Sequence, residues 1–249
     1  MVGVGLWHDY LSLLVGSVMS EQAQFSFDFP GSDYQRIQIL DAEISMVERA
    51  FSAAESDRYL QSFIDNTPWR HDEITIHGRT IPLPRLQAWC ADKDAVLHYS
   101  GMSIKPLAWT DELLSIRERI AELSGLRFNG VLLNYYRDGF DSVGWHSDDE
   151  QEFGPDPVIA SVSFGATREF VLKHRFKDDG KSVKCQLTHG SLLVMGKGTQ
   201  THWKHQLPKR KRVTAPRINL TFRNMVSLQT PVIPTGVGIT PRIGKSTKS

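Results

Sequence analysis

Arg217-Ile218-Asn219-Leu220-Thr221-Phe222-Arg223 alternates charged or polar with apolar residues without a break. In an extended chain successive side chains point to opposite faces. Ile218, Leu220 and Phe222 therefore share one face, and Arg217, Asn219, Thr221 and Arg223 the other. The apolar face has an ordinary use in a core. The polar face carries a guanidinium at each end of an otherwise core-like strand. If that face is wet, the pattern is that of a one-sided antiparallel sheet. If it points into a barrel, both cations need anions. A dicarboxylate held end to end supplies two, each gripped through paired hydrogen bonds.

Upstream, further strands read from 131–136, 158–164, 170–174 and 191–195, separated by Gly, Asp and Pro turns. Short strands so spaced indicate a sandwich or barrel. In the second of them Ala160, Val162 and Phe164 take one face and Ile159, Ser161 and Ser163 the other. Before residue 129 the pattern differs. Ile44, Val47, Phe51, Tyr59 and Phe63 recur at helical spacing and predict a helix over 43–64. Residues 73–88 read as strand and turn, with His77-Gly78 as a hairpin tip. A second helix begins at Asp111, an N-cap candidate, and Gly125 ends it. Helices first and strands after make an α+β chain rather than alternating βαβ units.

The chain has 249 residues, 40% of them hydrophobic, enough for one domain with a sizeable core. Residues 1–34 read as an N-terminal extension, 35–229 as the domain, and 230–249, rich in Pro, Gly, Thr and Lys, as a mobile tail. The change in character at Met19 makes it an alternative start. The stretch 6–19 is too short and too interrupted by His8 and Asp9 to span a membrane. With 29 basic and 28 acidic residues, global charge directs the chain to no polyanion, so any nucleic-acid contact rests on a local patch. Cys90 and Cys185 make no disulfide framework and fit a reducing compartment, as small buried hydrophobes.

Trp145-His146-Ser147-Asp148-Asp149 places an imidazole and a carboxylate on the same side of an extended chain. With one remote histidine they complete a facial triad of the kind that holds Fe(II) in non-haem oxygenases. By itself a His-x-Asp is common. The remote partner is open among His174, His189, His202 and His205, and alternation does not separate the last two. Asn134 and Tyr136 share a strand face and add hydrogen-bonding groups suited to the same dicarboxylate.

Four stretches now stand together: Asn-Tyr-Tyr-Arg-Asp-Gly at 134–139, Asp-Ser-Val-Gly-Trp-His-Ser-Asp-Asp-Glu at 141–150, Ala-Ser-Val-Ser-Phe-Gly-Ala-Thr-Arg at 160–168, and Ala-Pro-Arg-Ile-Asn-Leu-Thr-Phe-Arg at 215–223. In this order they resemble the AlkB family of Fe(II)- and 2-oxoglutarate-dependent dioxygenases, above all the animal branches that repair DNA or demethylate RNA and their bacterial relatives. The resemblance runs from about residue 82 to 223. It implies a double-stranded β-helix, or jelly roll, with N-terminal helices and a nucleotide-recognition lid at about 73–101. It implies iron ligands His146, Asp148 and His205, the last chosen over His202 because it precedes the turn at Pro208. It implies that Arg217, Tyr136 and Asn219 hold the far carboxylate of 2-oxoglutarate, and Arg223 and Asn134 the carboxylate nearest the iron. Glu150 is similar to the acidic residue that contacts the exocyclic amine of the target base.

The implied reaction is oxidative removal of alkyl groups from bases of the 1-methyladenine and 3-methylcytosine type, in DNA and as a further candidate in RNA. It uses O2 and releases formaldehyde, succinate and CO2. Tyr99, Trp89 and the His146 ring are candidates for stacking on a flipped base. Lys209-Arg210-Lys211-Arg212 is the candidate phosphate patch, extended by Arg85, Lys173, His174, Arg175 and Lys177. The sequence departs from the family at the lid. His77 stands where an aromatic wedge is usual, Cys90 where Tyr is, and Leu97 replaces a frequent aromatic. The implied partner is alkylated nucleic acid, with no membrane, in a monomer. The cytoplasm suits a bacterial chain and the nucleus a eukaryotic one. Two other readings are an oxygenase of this architecture acting on a protein or small molecule, and a binding module that has lost its metal.

Overall fold

Tyr34–Ile39 (β1) and Ala42–Val47 (β2) form an antiparallel hairpin where the spacing predicts the start of a helix. The difference has a physical cause. Ile44 and Met46 of β2 pack between two sheets, and Val47 packs under the helices. A strand covered on both faces loses the apolar–polar alternation by which strands are recognised. The helix begins later. Ser52 accepts a hydrogen bond from the Glu55 amide and donates its own N–H to the Glu55 carboxylate, a capping box that starts α1 (Ala53–Asn66).

The structure is a computed structural model. It describes residues 34–226 apart from 77, 93–96, 100–101 and 178–179, with backbone alone at 76, 97–99 and 102–104. The expected extension, the start at Met19 and the 230–249 tail lie outside the described residues.

β3 (Glu73–Ile76) and β4 (Arg79–Pro82) pair through a two-residue connection at 77–78, with Gly78 at φ 76°. β5 (Leu86–Ala91) falls in the span expected as a lid, yet it pairs along its length with β8 (Gly130–Tyr136) and closes one edge of the large sheet. Among the described residues, only the β3–β4 hairpin and the pair β6 (Leu97–Tyr99) and β7 (Met102–Ile104) stand apart from the main sheets. α2 (Asp111–Ser124) is capped by Thr110, whose side chain accepts from the Leu113 amide. Asp111 is instead in the first turn, where its charge favours the helix dipole. Gly125, at φ 69°, ends it.

The rest of the chain is mainly strand: β9 (Val143–His146), β10 (Ile159–Gly165), β11 (Arg168–His174), β12 (Val183–Leu187), β13 (Ser191–Met195), the one-turn α3 (Thr199–His202), β14 (Trp203–Leu207) and β15 (Arg217–Arg223). Two antiparallel sheets result, β1-β2-β13-β10-β15-β8-β5 and β12-β11-β14-β9. Ile44, Ile159, Leu172, Leu193 and Trp203 fill the space between them. On the outer face of the large sheet, Phe164 and Phe222 pack under Tyr59 and Phe63 of α1 and Ile116 and Ile120 of α2. This is the double-stranded β-helix with helices on one face. No helix among the described residues is long and apolar enough to cross a membrane.

Arg168 joins the loops around the open end. Its buried guanidinium donates to the carbonyls of Asp138 (3.2 Å), Asp141 (2.9 Å) and Pro208 (2.8 Å). The segments after β8 and β14 are thereby tied to each other.

Candidate active site

Sheet register brings the first residues together. β9 and β14 are antiparallel neighbours in which His146 lies directly opposite His205, and an irregularity follows, since Leu207 faces Val143. The two Nε2 atoms are 3.2 Å apart. Asp148, just past β9, brings Oδ1 to 3.8 Å from His146 Nε2 and Oδ2 to 3.9 Å from His205 Nε2. One ligand atom from each of the three lies within 4.8 Å of the others. His202 is not among them. Within β14, Trp203, His205 and Leu207 point inward, while His202 ends α3.

The donor chemistry suits a divalent cation. His146 places Nδ1 2.8 Å from the Gly144 carbonyl, so that nitrogen carries the proton and Nε2 offers its lone pair. Burial, and then the neighbouring His146, push the His205 imidazole down to about 3, so it is neutral at ordinary pH. Burial alone raises the Asp148 carboxyl. The Arg223 guanidinium at 3.0 Å, with His146 and His205, outweighs that and holds it below the usual carboxylate range. Two imidazoles and one carboxylate are a set that fits Fe(II).

The same cavity suits a dicarboxylate. It encloses about 440 Å³ and is lined along one wall by Arg217, Asn219, Thr221 and Arg223 of β15. The wet-face alternative for β15 therefore falls: these four residues are all buried. Arg217 is 2% exposed, lies against the Tyr136 ring at 5.2 Å and donates to Ser163 Oγ at 2.9 Å. Among the described residues it has no carboxylate partner, and burial lowers its guanidinium to about 10. Nε of Arg217 and Nε of Arg223 are both sealed from solvent without a hydrogen-bond acceptor. Buried donors so arranged call for an anion.

Asn134 and Asn219 face each other across β8 and β15, but they differ in what they have to offer. Asn134 Oδ1 accepts from Arg85 Nε and Gln87 Nε2, both at 2.9 Å, which leaves its amide protons for the cavity. Asn219 donates to Ser161 Oγ (2.8 Å) and the Val162 carbonyl (3.0 Å), while its own oxygen accepts from Thr221. Asn219, expected beside the far carboxylate, lines the cavity with its amide protons turned to Ser161 and Val162, where it braces the wall. Sequence reasoning missed Ser161, Ser163 and Gln87. Their signal was a polar side chain on the inward face of a strand.

The substrate-side residues divide. Glu150 lines the cavity, its Oε2 buried and without a hydrogen-bond partner among the described residues. Burial, and then the charge of Asp148, raise its carboxyl. Trp89, expected to stack on a base, is 2% exposed and packs with Phe153 and Met225 behind the cavity, because both faces of β5 are covered. Arg85 is 5% exposed and lines the cavity beside Asn134, so it is no part of a surface phosphate patch. The backbone of Tyr99 lies in β6, its side chain outside what is described, and His77 lies outside the described residues altogether.

Residues 43–223 match the family described as the 2OG-Fe(II) oxygenase superfamily. The chain is 42% identical over 186 residues to the mouse (Mus musculus) protein named DNA oxidative demethylase ALKBH2, covering 71% of this chain and 77% of that one. For the human (Homo sapiens) protein of that name the figures are 39% over 207 residues, 79% and 78%. The mouse alpha-ketoglutarate-dependent dioxygenase alkB homolog 3 is 40% identical over 179 residues, 69% of this chain and 62% of its own. The solved structure of OsALKBH1 shares the fold, with TM-score 0.50 and 16% identity over 75% of this chain and 99% of that one. The match over most of the domain, together with relatives this similar, places the chain in the 2OG-Fe(II) oxygenase superfamily and, within it, in the AlkB family.

Proposed function

We propose that this chain removes alkyl groups oxidatively from N-alkylated bases in DNA. The observation that carries the reading is one cavity holding a His-Asp-His triad, two buried arginines with unused donors, and an acidic side chain in its lining. The names of the mammalian relatives support the same reaction. Fe(II) and 2-oxoglutarate are the cofactors of the superfamily. Bound together with O2, they supply the oxidising chemistry, and 2-oxoglutarate leaves as succinate and CO2.

The chain's residues do the rest. His146 and His205 present Nε2 atoms to the same point, and Asp148 a carboxylate that Arg223 keeps ionised. Arg217, with Tyr136 against it, grips the far carboxylate, while Arg223 and the free amide protons of Asn134 serve the near one. Leu132, Phe153 and Leu207 keep the cavity partly apolar and exclude bulk water. Glu150 Oε2 accepts from the exocyclic amine of a methylated adenine or cytosine, which aims the ring nitrogen and its alkyl group at the triad. The oxidised alkyl carbon then leaves as formaldehyde.

A base in a duplex cannot reach this cavity without being flipped. Lys209, Lys211 and Arg212 are exposed beside β14 and offer phosphate contacts. Arg210 already pairs with Glu169. Alkylated RNA is a further substrate of this reading, and a monomer its working state.

The test is mass spectrometry of a single-stranded DNA bearing one 1-methyladenine, incubated with enzyme, Fe(II), ascorbate and 2-oxoglutarate. A matched duplex, a matched RNA and a His146→Ala control run beside it. Loss of the methyl group, absent from the control, is expected. Turnover of 2-oxoglutarate with no methyl lost from any strand would keep the oxygenase and reject the base, favouring a protein or small-molecule substrate.

A further inference from the structure

A second set of metal-ligand side chains lies outside the cavity. Asp41 occupies the turn between β1 and β2, His174 ends β11, and His202 ends α3. One ligand atom from each of the three lies within 4.8 Å of the others. His174 Nε2 is 3.4 Å from Asp41 Oδ2. Ligands about 2.1 Å from a tetrahedral ion are roughly 3.4 Å apart, so this edge needs no adjustment. The His174 side chain is 93% buried, and its Nε2 is sealed from solvent with no hydrogen-bond partner among the described residues. The rings of His174 and His202 are near-parallel, 21° apart at 6.1 Å, and Trp203 packs edge-on against His174 at 5.2 Å.

We propose that Asp41, His174 and His202 form a second metal site, separate from the triad, for a borderline divalent ion of the Zn(II) type. Two imidazoles and one carboxylate favour such an ion over Mg(II) or Ca(II), which prefer oxygen alone. The site is structural. It fastens the β1–β2 turn to the end of β11 and to α3, three residues ahead of His205.

One contact must yield. The Phe176 amide donates to His174 Nδ1 at 3.2 Å, which keeps the ring proton on Nε2 in the metal-free protein. With the ion on Nε2, that proton moves to Nδ1 by exchange with solvent, and the Phe176 contact opens. Phe176 is in an exposed bend, so the rearrangement is local.

The experiment uses the full chain dialysed against buffered Zn(II), with bound metal measured by mass spectrometry and the Phe176 amide followed by NMR. Wild type is expected to hold two equivalents and His146→Ala one. His202→Gln should keep the triad's equivalent and lose the second at least tenfold in affinity. Asp41→Asn, which tolerates the positive φ of that turn, should weaken it in the same direction. The Phe176 amide should shift in wild type and in His146→Ala but not in His202→Gln. A single equivalent in wild type, or a second that survives His202→Gln with unchanged affinity, overturns the proposal. His174 is left intact because a buried truncation there confounds metal loss with unfolding.

Discussion

Arg217→Met is the substitution on which the reading of the cavity turns, because it predicts effects of opposite sign. Burial lowers the Arg217 guanidinium from its ordinary value to about 10. A base whose folded pKa is depressed is charged at neutral pH in both states. The folded protein then bears the full difference, which is relieved only as pH rises above the folded value. At 1.36 kcal/mol per unit, the lone cation costs the ligand-free fold about 3 kcal/mol. Methionine has similar length and no charge. Its thioether can pack on the Tyr136 ring, while the hydrogen bond to Ser163, worth about 1 kcal/mol, and the polar contact with Tyr136 are lost. Ligand-free Arg217→Met should therefore be as stable as wild type in urea, or more stable by up to about 1 kcal/mol. The far carboxylate of 2-oxoglutarate loses the cation that awaits it. Its affinity, measured by calorimetry with Mn(II) in place of Fe(II), should fall about 100-fold, the equivalent of some 3 kcal/mol. Binding within threefold of wild type would mean that the carboxylate goes elsewhere. A loss of more than about 2 kcal/mol without ligand would mean that the charge was already paired.

Asp148→Ala and His146→Ala should both abolish metal binding at the triad and turnover, yet they should separate in stability. The first strands Arg223, which is buried, and should lower unfolding free energy by about 3 kcal/mol; the second removes a half-exposed ring and should change it little. Equal denaturation midpoints would refute the Asp148–Arg223 pairing. At Asp141, burial raises the carboxyl, but hydrogen bonds from the Arg137 side chain and backbone prevail and hold it below its usual value. A carboxylate depressed in the fold stabilises above its unfolded pKa, and that stabilisation fades as pH falls through the folded one. The Tm of wild type should thus decline on acidification below about pH 4 more steeply than that of Asp141→Asn; parallel curves would assign the acid limb to other groups.

What could be read from sequence, and what could not, follows from how each strand is covered. β15 is legible in full, bounds and faces, because its apolar side meets the helices and its polar side meets the cavity. β2 and β5 are covered on both faces, so alternation vanishes. The spacing in β2 therefore reads as helix, and nothing in the sequence around Trp89 of β5 marks that ring as buried. β14 carries a visible alternation in Trp203-Lys204-His205-Gln206-Leu207, but five residues beside a short helix are too few to stand out. The choice of His205 over His202 had to come from resemblance, although register supplies a physical reason: only His205 lies opposite His146. The two asparagines show where sequence reading stops. Asn134 and Asn219 are the same residue type, on one sheet face, directly paired across neighbouring strands. Alternation treats them alike. Yet Arg85 and Gln87 hold the oxygen of the first and leave its protons free, while Ser161 and the Val162 carbonyl occupy the protons of the second. Facing a cavity is a property of the strand and can be inferred from its period. Having a donor left to offer is a property of the neighbours, which come from β5, the residue before it and β10, 47 or more residues away in the chain, and it becomes readable only once the sheet order is known.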